Sequence, residues 1–354
     1  MPDYDVMLVE RVPQSGSGPN LNLIDEIIPK EKIGWSTELI GDGGFITLAA
    51  APDQQSQDVK DVLIDIAETA CEIWLYRDST LVQAGPIIGV QTQGPTIIIL
   101  ARALAYYLKY MFVTTDLTFT NIDDYVIGKG LIDHWQALTF GDFGIDTSTI
   151  GTSGFTRTIE YIAHEAPNVF QKLEALSEKQ DGFEWHVDPF TRKMIFEARR
   201  GSDKSVDVIL DNRAIASPNT HFSVAQGDYA NHAIATGATV SGTTTRVGTK
   251  INTTARGKFG RAGLSIAVDE AETQATVDEY AQSLLDMSDH VHFIPAIGSA
   301  IPILGAGIED FDVGDTIHWV YDYGLGKFRV DRDVYKRFVS VSKTGEETMT
   351  VEFV

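Results

Sequence analysis

Alternating apolar and polar residues predict a β-rich unit over residues 1–99. Five strand-like segments follow one another, with Gly, Asp and Pro between them: residues 21–28, 43–51, 71–78, 81–90 and 96–100. Residues 56–67 interrupt this series with the apolar spacing of one short helix. Such short strands are typical of a barrel or a sandwich, and an acidic N-terminal arm precedes them.

After residue 100 the spacing of apolar residues becomes helical. The first predicted helix has its apolar positions at Leu100, Leu104, Tyr107, Leu108 and Met111. The second has Asn121 as its N-cap, and its apolar face comprises Ile127, Leu131, Trp135 and Leu138. The third begins at Pro167 and stops at Gly182, and its buried positions are Val169, Leu173 and Leu176.

Residues 181–200 predict a β-hairpin with its turn at Asp188-Pro189. Together with the helices it makes an α+β unit over residues 100–205. Residues two apart on a strand share a face, so the hairpin's first strand has two faces: an apolar one of Phe183, Trp185 and Val187, and a polar one of Glu184, His186 and Asp188. We expect the apolar face to pack on the third helix, and the polar face to lie in water or at an interface.

Strand patterns return over residues 206–354, which we predict to be a second β-rich unit. One amphipathic helix interrupts it at residues 269–288, and its apolar side comprises Val277, Tyr280, Ala281, Leu284 and Leu285. The last segment, TMTVEFV, alternates as a half-buried strand does. The chain therefore reads as β, then α+β, then β, and its 354 residues suit two or three such units.

The charge balance limits the classes of partner. Fifty acidic and 28 basic side chains give a net charge of −22, which repels nucleic-acid phosphates and anionic lipid. The N-terminus has no basic segment followed by an apolar one, so we expect no signal peptide. The most apolar segment, residues 96–113, contains Arg102 and Lys109 and changes period midway, so we predict that it belongs to a core rather than a membrane.

Candidate chemistry is sparse. Cys71, the only cysteine, lies in an apolar strand and is predicted to be a buried hydrophobic residue. Residues 164–168 resemble the start of a zinc-protease helix, but Pro167 breaks the helix and Asn168 replaces the second His. Three further residues that could bind a metal ion, Asp289, His290 and His292, lie close together directly after a helix. We predict no catalytic, cofactor-binding or metal-binding residue, and no cofactor.

The order of the segments along the chain carries a resemblance that no single segment carries. The series runs from IWLYRDSTLVQAGPIIGV to KFRVDRDVYKRFVSVSKTGEETMTVEF, and its members are residues 73–90, 96–113, 119–136, 176–194, 227–238, 258–265, 311–321 and 327–353. This series resembles the minor tail proteins that form the tail-tip hub of long-tailed phages, particularly phages of actinobacteria. The resemblance spans about residues 30–354.

The resemblance implies a structural virion protein that is not an enzyme. In this family, two tail-tube-like β-barrel domains within a subunit, here residues 1–99 and 206–354, build a ring of three subunits with pseudo-sixfold symmetry. The implied partners are the protein itself as a trimer, the distal tail ring protein, the tape measure protein and downstream fibre or spike proteins. DNA would pass through the channel without specific binding, and no appended peptidase or lysozyme domain is expected.

Two alternatives stay open. The chain could be the distal tail ring protein, which would form hexamers and contain one tube-like domain. It could also be a carbohydrate-binding or carbohydrate-degrading protein that acts on the host envelope, with tryptophans as sugar platforms: Trp35, Trp74, Trp135, Trp185 and Trp319. In that case Glu184 and Asp188 would be the acidic residues to test.

Overall fold

The computed structural model describes most of the chain: residues 3–14, 18–39, 43–64, 71–179, 181–211, 220–224, 230–240, 244–254, 263–268, 273–288, 293–297, 309–322, 327–342 and 347–353. The strands are β1 (Tyr4–Val12), β2 (Asn20–Glu26), β3 (Pro29–Glu38), β4 (Phe45–Ala50), β5 (Cys71–Arg77), β6 (Thr80–Gln93), β7 (Thr96–Arg102), β8 (Leu117–Asp123), β9 (Thr156–Tyr161), β10 (Glu184–Val187), β11 (Met194–Glu197), β12 (Ile209–Asp211), β13 (Thr220–Val224), β14 (His232–Val240), β15 (Thr244–Ile251), β16 (Gly263–Val268), β17 (Phe293–Ile297), β18 (Thr316–Asp322), β19 (Lys327–Val341) and β20 (Glu347–Phe353). The α-helices are α1 (Gln57–Ile64), α2 (Asp124–Gln136), α3 (Val169–Ser177) and α4 (Gln274–Ser288).

One large sheet, called the main sheet below, joins the two ends of the chain. Its strand order is β12-β18-β19-β3-β4-β7-β6-β5-β1-β2, with β20 paired to β19. The long strand β19 pairs with β18 through its first half and with β3 through its second half, where Val339 lies opposite Trp35. The first and last strands of this order do not pair with each other, so the described strands form open sheets and not closed barrels. The predicted mainly β chain with an α+β insertion is confirmed.

The first and last parts of the chain also share one hydrophobic core. Its fully buried members include Val6, Ile46 and Ile73 from the N-terminal strands and Val339 and Val351 from the C-terminal ones. The boundaries predicted after residues 99 and 205 stay a prediction. In the structure, the strands that precede the α+β unit in sequence and the strands that follow it contribute to the same hydrophobic core.

The N-terminal arm is a strand of the main sheet. β1 lies between β5 and β2, and Val6 and Leu8 are fully buried. These two residues lie two apart on one face, so the arm has the period of a strand. Cys71 is also buried in this core, as predicted.

Two helices of the α+β unit differ from their predicted form. The segment predicted as a first helix continues β7 to Arg102 and then forms 3₁₀ turns over Leu104–Tyr110. Its buried residues Leu104 and Tyr107, and likewise Ala105 and Leu108, lie three apart, which suits 3₁₀ geometry. The second helix begins at Asp124, and its N-cap is Asp123, whose carboxylate accepts a hydrogen bond from the Tyr125 N–H. Asn121 is instead a left-handed residue at an irregular position of β8.

The third helix is shorter than predicted at both ends. Asn168 is its N-cap, because its side-chain oxygen accepts a hydrogen bond from the Gln171 N–H. The helix ends at Ser177, and Gly182 lies in the turn that follows, where a Cβ would stand 1.9 Å from the Ser177 carbonyl oxygen. The predicted buried residues Val169, Leu173 and Leu176 are confirmed.

The remaining helix packs on a small sheet. Strand β14 pairs with β15 and β16, and α4 covers them with Val277, Ala281 and Leu285 buried, as predicted. The first residues predicted for this helix, 269–272, lie outside the described residues. Of the helices in the described part of the chain, none has both the length and the apolar character that a membrane crossing requires.

Two glycines let the chain cross itself at the edge of the main sheet. Gly201 (φ +83°) and Gly314 (φ +91°) face each other, and a Cβ on Gly314 would lie 2.5 Å from the Arg200 carbonyl oxygen. We expect Gly314→Ala to lower the free energy of unfolding by more than the ~1–2 kcal/mol that left-handed backbone costs an L-residue, since a backbone clash is added. Denaturant unfolding measures this.

Variants of two other glycines separate the cost of a left-handed backbone from the cost of a steric clash. Gly94→Ala, with φ +59° and no neighbour within 4 Å, should show the conformational cost alone. Gly89→Ala, without a left-handed φ or a near neighbour, should be close to neutral. A loss at Gly314 no greater than that at Gly94 would contradict the crossing.

Candidate functional site

The hairpin β10–β11 docks on α3 through its aromatic face, as predicted. Phe183 and Trp185 are both 3% exposed. The Trp185 ring meets Phe170 of α3 edge-on with 5.6 Å between centroids, and Phe183 meets Tyr125 of α2 at 5.1 Å. Aromatic pairs in this edge-to-face geometry add to the stability gained from burial.

The opposite face of β10 is half-buried: it lies partly in water and partly against other segments of the chain. Glu184 accepts a hydrogen bond from the Arg200 backbone N–H, and burial raises the pKa of its carboxyl. Asp188 closes the hairpin turn, because its Oδ1 accepts hydrogen bonds from the N–H and the hydroxyl of Thr191 at 2.6 and 2.7 Å. His186 Nδ1 lies 3.7 Å from Glu197 Oε1. Glu184 and Asp188 thus have separate hydrogen-bond partners, whereas His186 Nδ1 is buried without one among the described residues.

Burial of His186 predicts a pH dependence of stability. Burial first, and Arg200 next, lower the pKa of His186 to about 4, against the opposing effect of Asp188 and Asp312. Unfolding restores a pKa near 6.5, so between about pH 4 and 6.5 the unfolded chain binds a proton at His186 that the folded chain does not bind. The contribution of neutral His186 to the free energy of unfolding is therefore fully present above about pH 6.5 and is lost as the pH falls towards 4.

Comparison with His186→Gln isolates this contribution. Glu184 and Glu197 have raised pKa values, so they make the folded chain more stable as the pH falls, opposite to His186. The pH profile of the wild type alone therefore cannot show the effect of His186. The stability difference between wild type and His186→Gln should shrink or reverse as the pH falls from 7 to 4.5 in thermal unfolding. A difference that stays constant would contradict the buried neutral imidazole.

A cleft of about 480 Å³ lies beside this face, between the hairpin and the main sheet. The hairpin contributes His186 and Asp188, and the sheet contributes Trp35, Gln83 and Arg337. The cleft therefore marks the junction of the α+β unit with the main sheet. Sequence periodicity placed Glu184, His186 and Asp188 on one strand face but could not show that this face meets a second unit.

One acidic segment lines part of the cleft. Residues 309–312, called the acidic strap below, engage basic side chains from three parts of the chain. Arg77 pairs with Glu309, Lys204 Nζ donates to the Asp310 carbonyl at 2.9 Å, and Arg337 pairs with Asp312 at 3.0 Å. The strap thereby ties β5, the segment after β11 and β19 together.

A buried ion pair, called the Glu72 clamp below, fixes the hairpin turn to the main sheet. Glu72 of β5 is fully buried, and the Arg192 guanidinium meets it with two hydrogen bonds of 2.9 and 3.1 Å. Tyr107 and Trp74 donate to the same carboxylate at 2.8 and 2.9 Å. Arg11 adds a cation–π contact, 4.9 Å from the centre of the Phe143 ring. Four donors satisfy this carboxylate, as its burial requires.

A second buried pair, called the Arg157 clamp below, fixes the α+β unit to α4. Arg157 Nε donates to the fully buried Asp124 at 2.9 Å, and its Nη1 meets Glu279 of α4 at 2.5 Å. Burial raises the pKa of Asp124, and Arg157 opposes the shift. Lys179 adds a contact 5.0 Å from the Tyr280 ring centre. Both buried ion pairs, at Glu72 and at Asp124, therefore join the α+β unit to other parts of the chain.

The other candidate residues are used structurally or are not described. His164 lies in a short 3₁₀ turn, and no helix runs from it to Asn168, so the zinc-protease likeness does not extend to geometry. Asp289, His290 and His292 lie outside the described residues. Within the described ranges, no three His, Cys, Asp or Glu side chains gather closely enough to hold a metal ion. Trp35 and Trp185 are 1% and 3% exposed, so neither offers a sugar platform.

Proteins of similar structure match this chain over nearly its whole length. The 43 kDa tail protein of prophage MuSo2 from Shewanella oneidensis has a TM-score of 0.62 at 15% identity, covering 99% of this chain and 98% of its own. The tail protein from Neisseria meningitidis MC58 has a TM-score of 0.59 at 12% identity, with 99% and 96% covered. The prophage tail protein gp18 from Listeria monocytogenes EGD-e has 0.59 at 10% identity, with 98% and 94% covered.

Sequence comparison adds nothing to this likeness: no family model matches the chain, and no curated protein is similar to it in sequence. At 10–15% identity, the structural likeness establishes the fold. The structural neighbours of this chain are phage tail proteins, and it shares their mostly β fold.

Proposed function

We propose that this chain is a structural hub of the tail tip of a long-tailed phage. One observation carries the proposal: the fold agrees with three phage tail proteins across at least 98% of this chain and at least 94% of theirs. Agreement in both directions means that the whole architecture is shared, including the α+β unit. The sequence resemblance to tail-tip hubs, drawn from the order of segments, points to the same class of protein.

The hub assembles as a ring of three subunits that closes the tail tube and leaves an axial channel. It joins the distal tail ring and the tape measure protein on one side to fibre or spike proteins on the other. Rigid subunits suit this task, and the Glu72 clamp, the Arg157 clamp and the acidic strap each hold parts of one subunit together. Actinobacterial hosts stay a prediction of the sequence resemblance.

Charge suits a channel through which DNA passes. Each subunit carries a net charge of −22, and a ring of three carries three times that. An acidic lumen repels phosphates, so the genome and the wall do not adhere during ejection.

The hub has no enzymatic role in this proposal. On the polar face of β10, Glu184 accepts a hydrogen bond from a backbone N–H and Asp188 closes a turn, while burial lowers the pKa of the half-buried His186 to about 4.

Light scattering of the purified full chain tests the proposal. The expected mass in solution is three times that of the 38.8 kDa chain. A hexamer would favour the distal tail ring instead, and a monomer at every concentration up to the solubility limit would overturn the hub. Release of sugar from host envelope by the wild-type chain, lost on replacing Glu184 or Asp188, would favour the envelope-degrading alternative.

A further inference from the structure

Basic side chains gather in the cleft beside the hairpin, although the chain as a whole is acidic. The lining includes three arginines and one lysine from three parts of the chain: Arg77, Arg200, Lys204 and Arg337. Each of the three arginine side chains is at most 15% exposed. Cations that are withdrawn from water to this extent need anions close by. The cleft is therefore a place where an anion would be stabilised.

Arg200 is less closely paired than Arg337. The Arg337 guanidinium lies 3.0 Å from the Asp312 carboxylate, whereas that of Arg200 lies 3.7 Å from it, beyond hydrogen-bond distance. Arg200 also adds to the effect of burial in lowering the pKa of Arg337 and the pKa of His186, although Asp312 opposes both shifts. The positive charge of Arg200 therefore acts on the inside of the cleft.

Two polar atoms of the same lining also point to a ligand. Thr37 Oγ1 and His186 Nδ1 are buried and have no hydrogen-bond partner among the described residues, and both residues line the cleft. Thr37 lies opposite Arg337 on the paired strands β3 and β19, so the two side chains share one face of the main sheet. Folded proteins seldom leave a buried hydroxyl unpaired, and an ion that accepts its hydrogen bond is one explanation.

The carboxylates of the acidic strap do not fully compensate these cations. The Glu309 and Asp312 side chains are 76% and 51% exposed. Carboxylates this exposed keep much of their hydration, which weakens their attraction to a guanidinium. Their contacts with Arg77 and Arg337 nevertheless show which chemistry the cleft accepts, namely an oxygen anion.

We propose that this cleft binds a small oxyanion, a carboxylate or a phosphate group, through the Arg200 guanidinium and the Thr37 hydroxyl. Guanidinium groups recognise both kinds of anion through paired hydrogen bonds. The cleft volume of about 480 Å³ lies within the range of about 300–1,000 Å³ that is typical of small-ligand sites. The site belongs to a single subunit, so it goes beyond the proposed hub and does not depend on the ring.

Calorimetric titration of the purified full chain tests the site. Sodium phosphate and sodium glutarate serve as separate probes, and sodium chloride keeps the ionic strength constant. We expect saturable binding of at least one probe, weakened about tenfold or more by Arg200→Met, because a charged hydrogen bond is lost. Binding of phosphate alone identifies a phosphate ligand, and binding of glutarate alone identifies a carboxylate ligand. Arg199→Met, which removes a 52% exposed guanidinium outside the lining, should bind like the wild type.

Thr37→Val separates binding from folding. Removing a buried hydroxyl that has no partner should leave the melting temperature of the anion-free chain unchanged or raise it, while the affinity for the anion falls about three- to tenfold. A lower melting temperature for Thr37→Val would count against the site, since the hydroxyl would then have a partner within the chain. Absence of saturable binding with both probes, or equal affinity in wild type and Arg200→Met, would overturn it.

Discussion

Replacing Arg192 with Met is expected to lower the free energy of unfolding by about 3–5 kcal/mol. The Glu72 carboxylate is fully buried, and Arg192 supplies two of its hydrogen bonds and the charge that compensates it. Without the guanidinium, folding must bury a carboxylate against only two neutral donors, Tyr107 and Trp74. Chemical denaturation of the full chain measures the change.

Two further variants make this prediction specific to the buried charge. Arg199→Met removes a guanidinium of similar size from an exposed pair with Asp333, and we expect it to cost less than about 1 kcal/mol. The double variant Glu72→Gln/Arg192→Met should recover part of the loss, because it removes the uncompensated charge as well. Equal losses for Arg192→Met and Arg199→Met would show that the Glu72 clamp does not hold the hairpin to the sheet.

The second large effect is expected from Arg157→Met. Asp124 lies at the start of α2 and is fully buried, so loss of Arg157 removes the only cation that forms an ion pair with it among the described residues and leaves Lys179 as a more distant positive charge. We expect a loss of about 3–5 kcal/mol in the free energy of unfolding. Hydrogen exchange should also become faster in α4, because Arg157 also pairs with Glu279 of that helix.

Glu279→Gln is the matched control for this effect. Its carboxylate is 39% exposed, so the variant breaks the contact with α4 while Asp124 keeps its partner. We expect a cost below about 1 kcal/mol. If Glu279→Gln proved as harmful as Arg157→Met, the energy of the clamp would lie in its exposed half and the burial argument would fail.

The spacing of apolar residues correctly predicted the type and buried face of elements that pack against a single neighbouring layer. The alternation in residues 183–187 correctly predicted the hairpin strand and its buried aromatics Phe183 and Trp185. The spacing of Val277, Ala281 and Leu285 likewise predicted the inner face of α4. These patterns reflect packing against a single neighbouring layer, which leaves its period in the sequence.

Interactions between distant segments could not be predicted in this way. Glu72 and Arg192 are 120 residues apart, and neither stands out from its local pattern. Pairing of β19 with β3 depends on two strands separated by the whole α+β unit, so the sequence suggested two closed barrels where the structure has one open main sheet. Glu184, His186 and Asp188 were grouped correctly, but their environment depends on Arg200 and the acidic strap.

Some errors were local and have a clear cause. Apolar residues three apart, such as Leu104 and Tyr107, occur in 3₁₀ turns as well as in α-helices, so the spacing did not distinguish the two forms over Leu104–Tyr110. Asn121 and Asp123 are both good capping residues, and the irregularity of β8 decided in favour of Asp123. Such choices depend on the neighbouring strand β9, which capping preferences ignore.

Electron microscopy of the purified full chain tests the central claim most directly. We expect single particles to average to a ring with threefold symmetry and an open axial hole. Compact monomers without an axial opening, or rings with true sixfold symmetry, would contradict the trimeric hub.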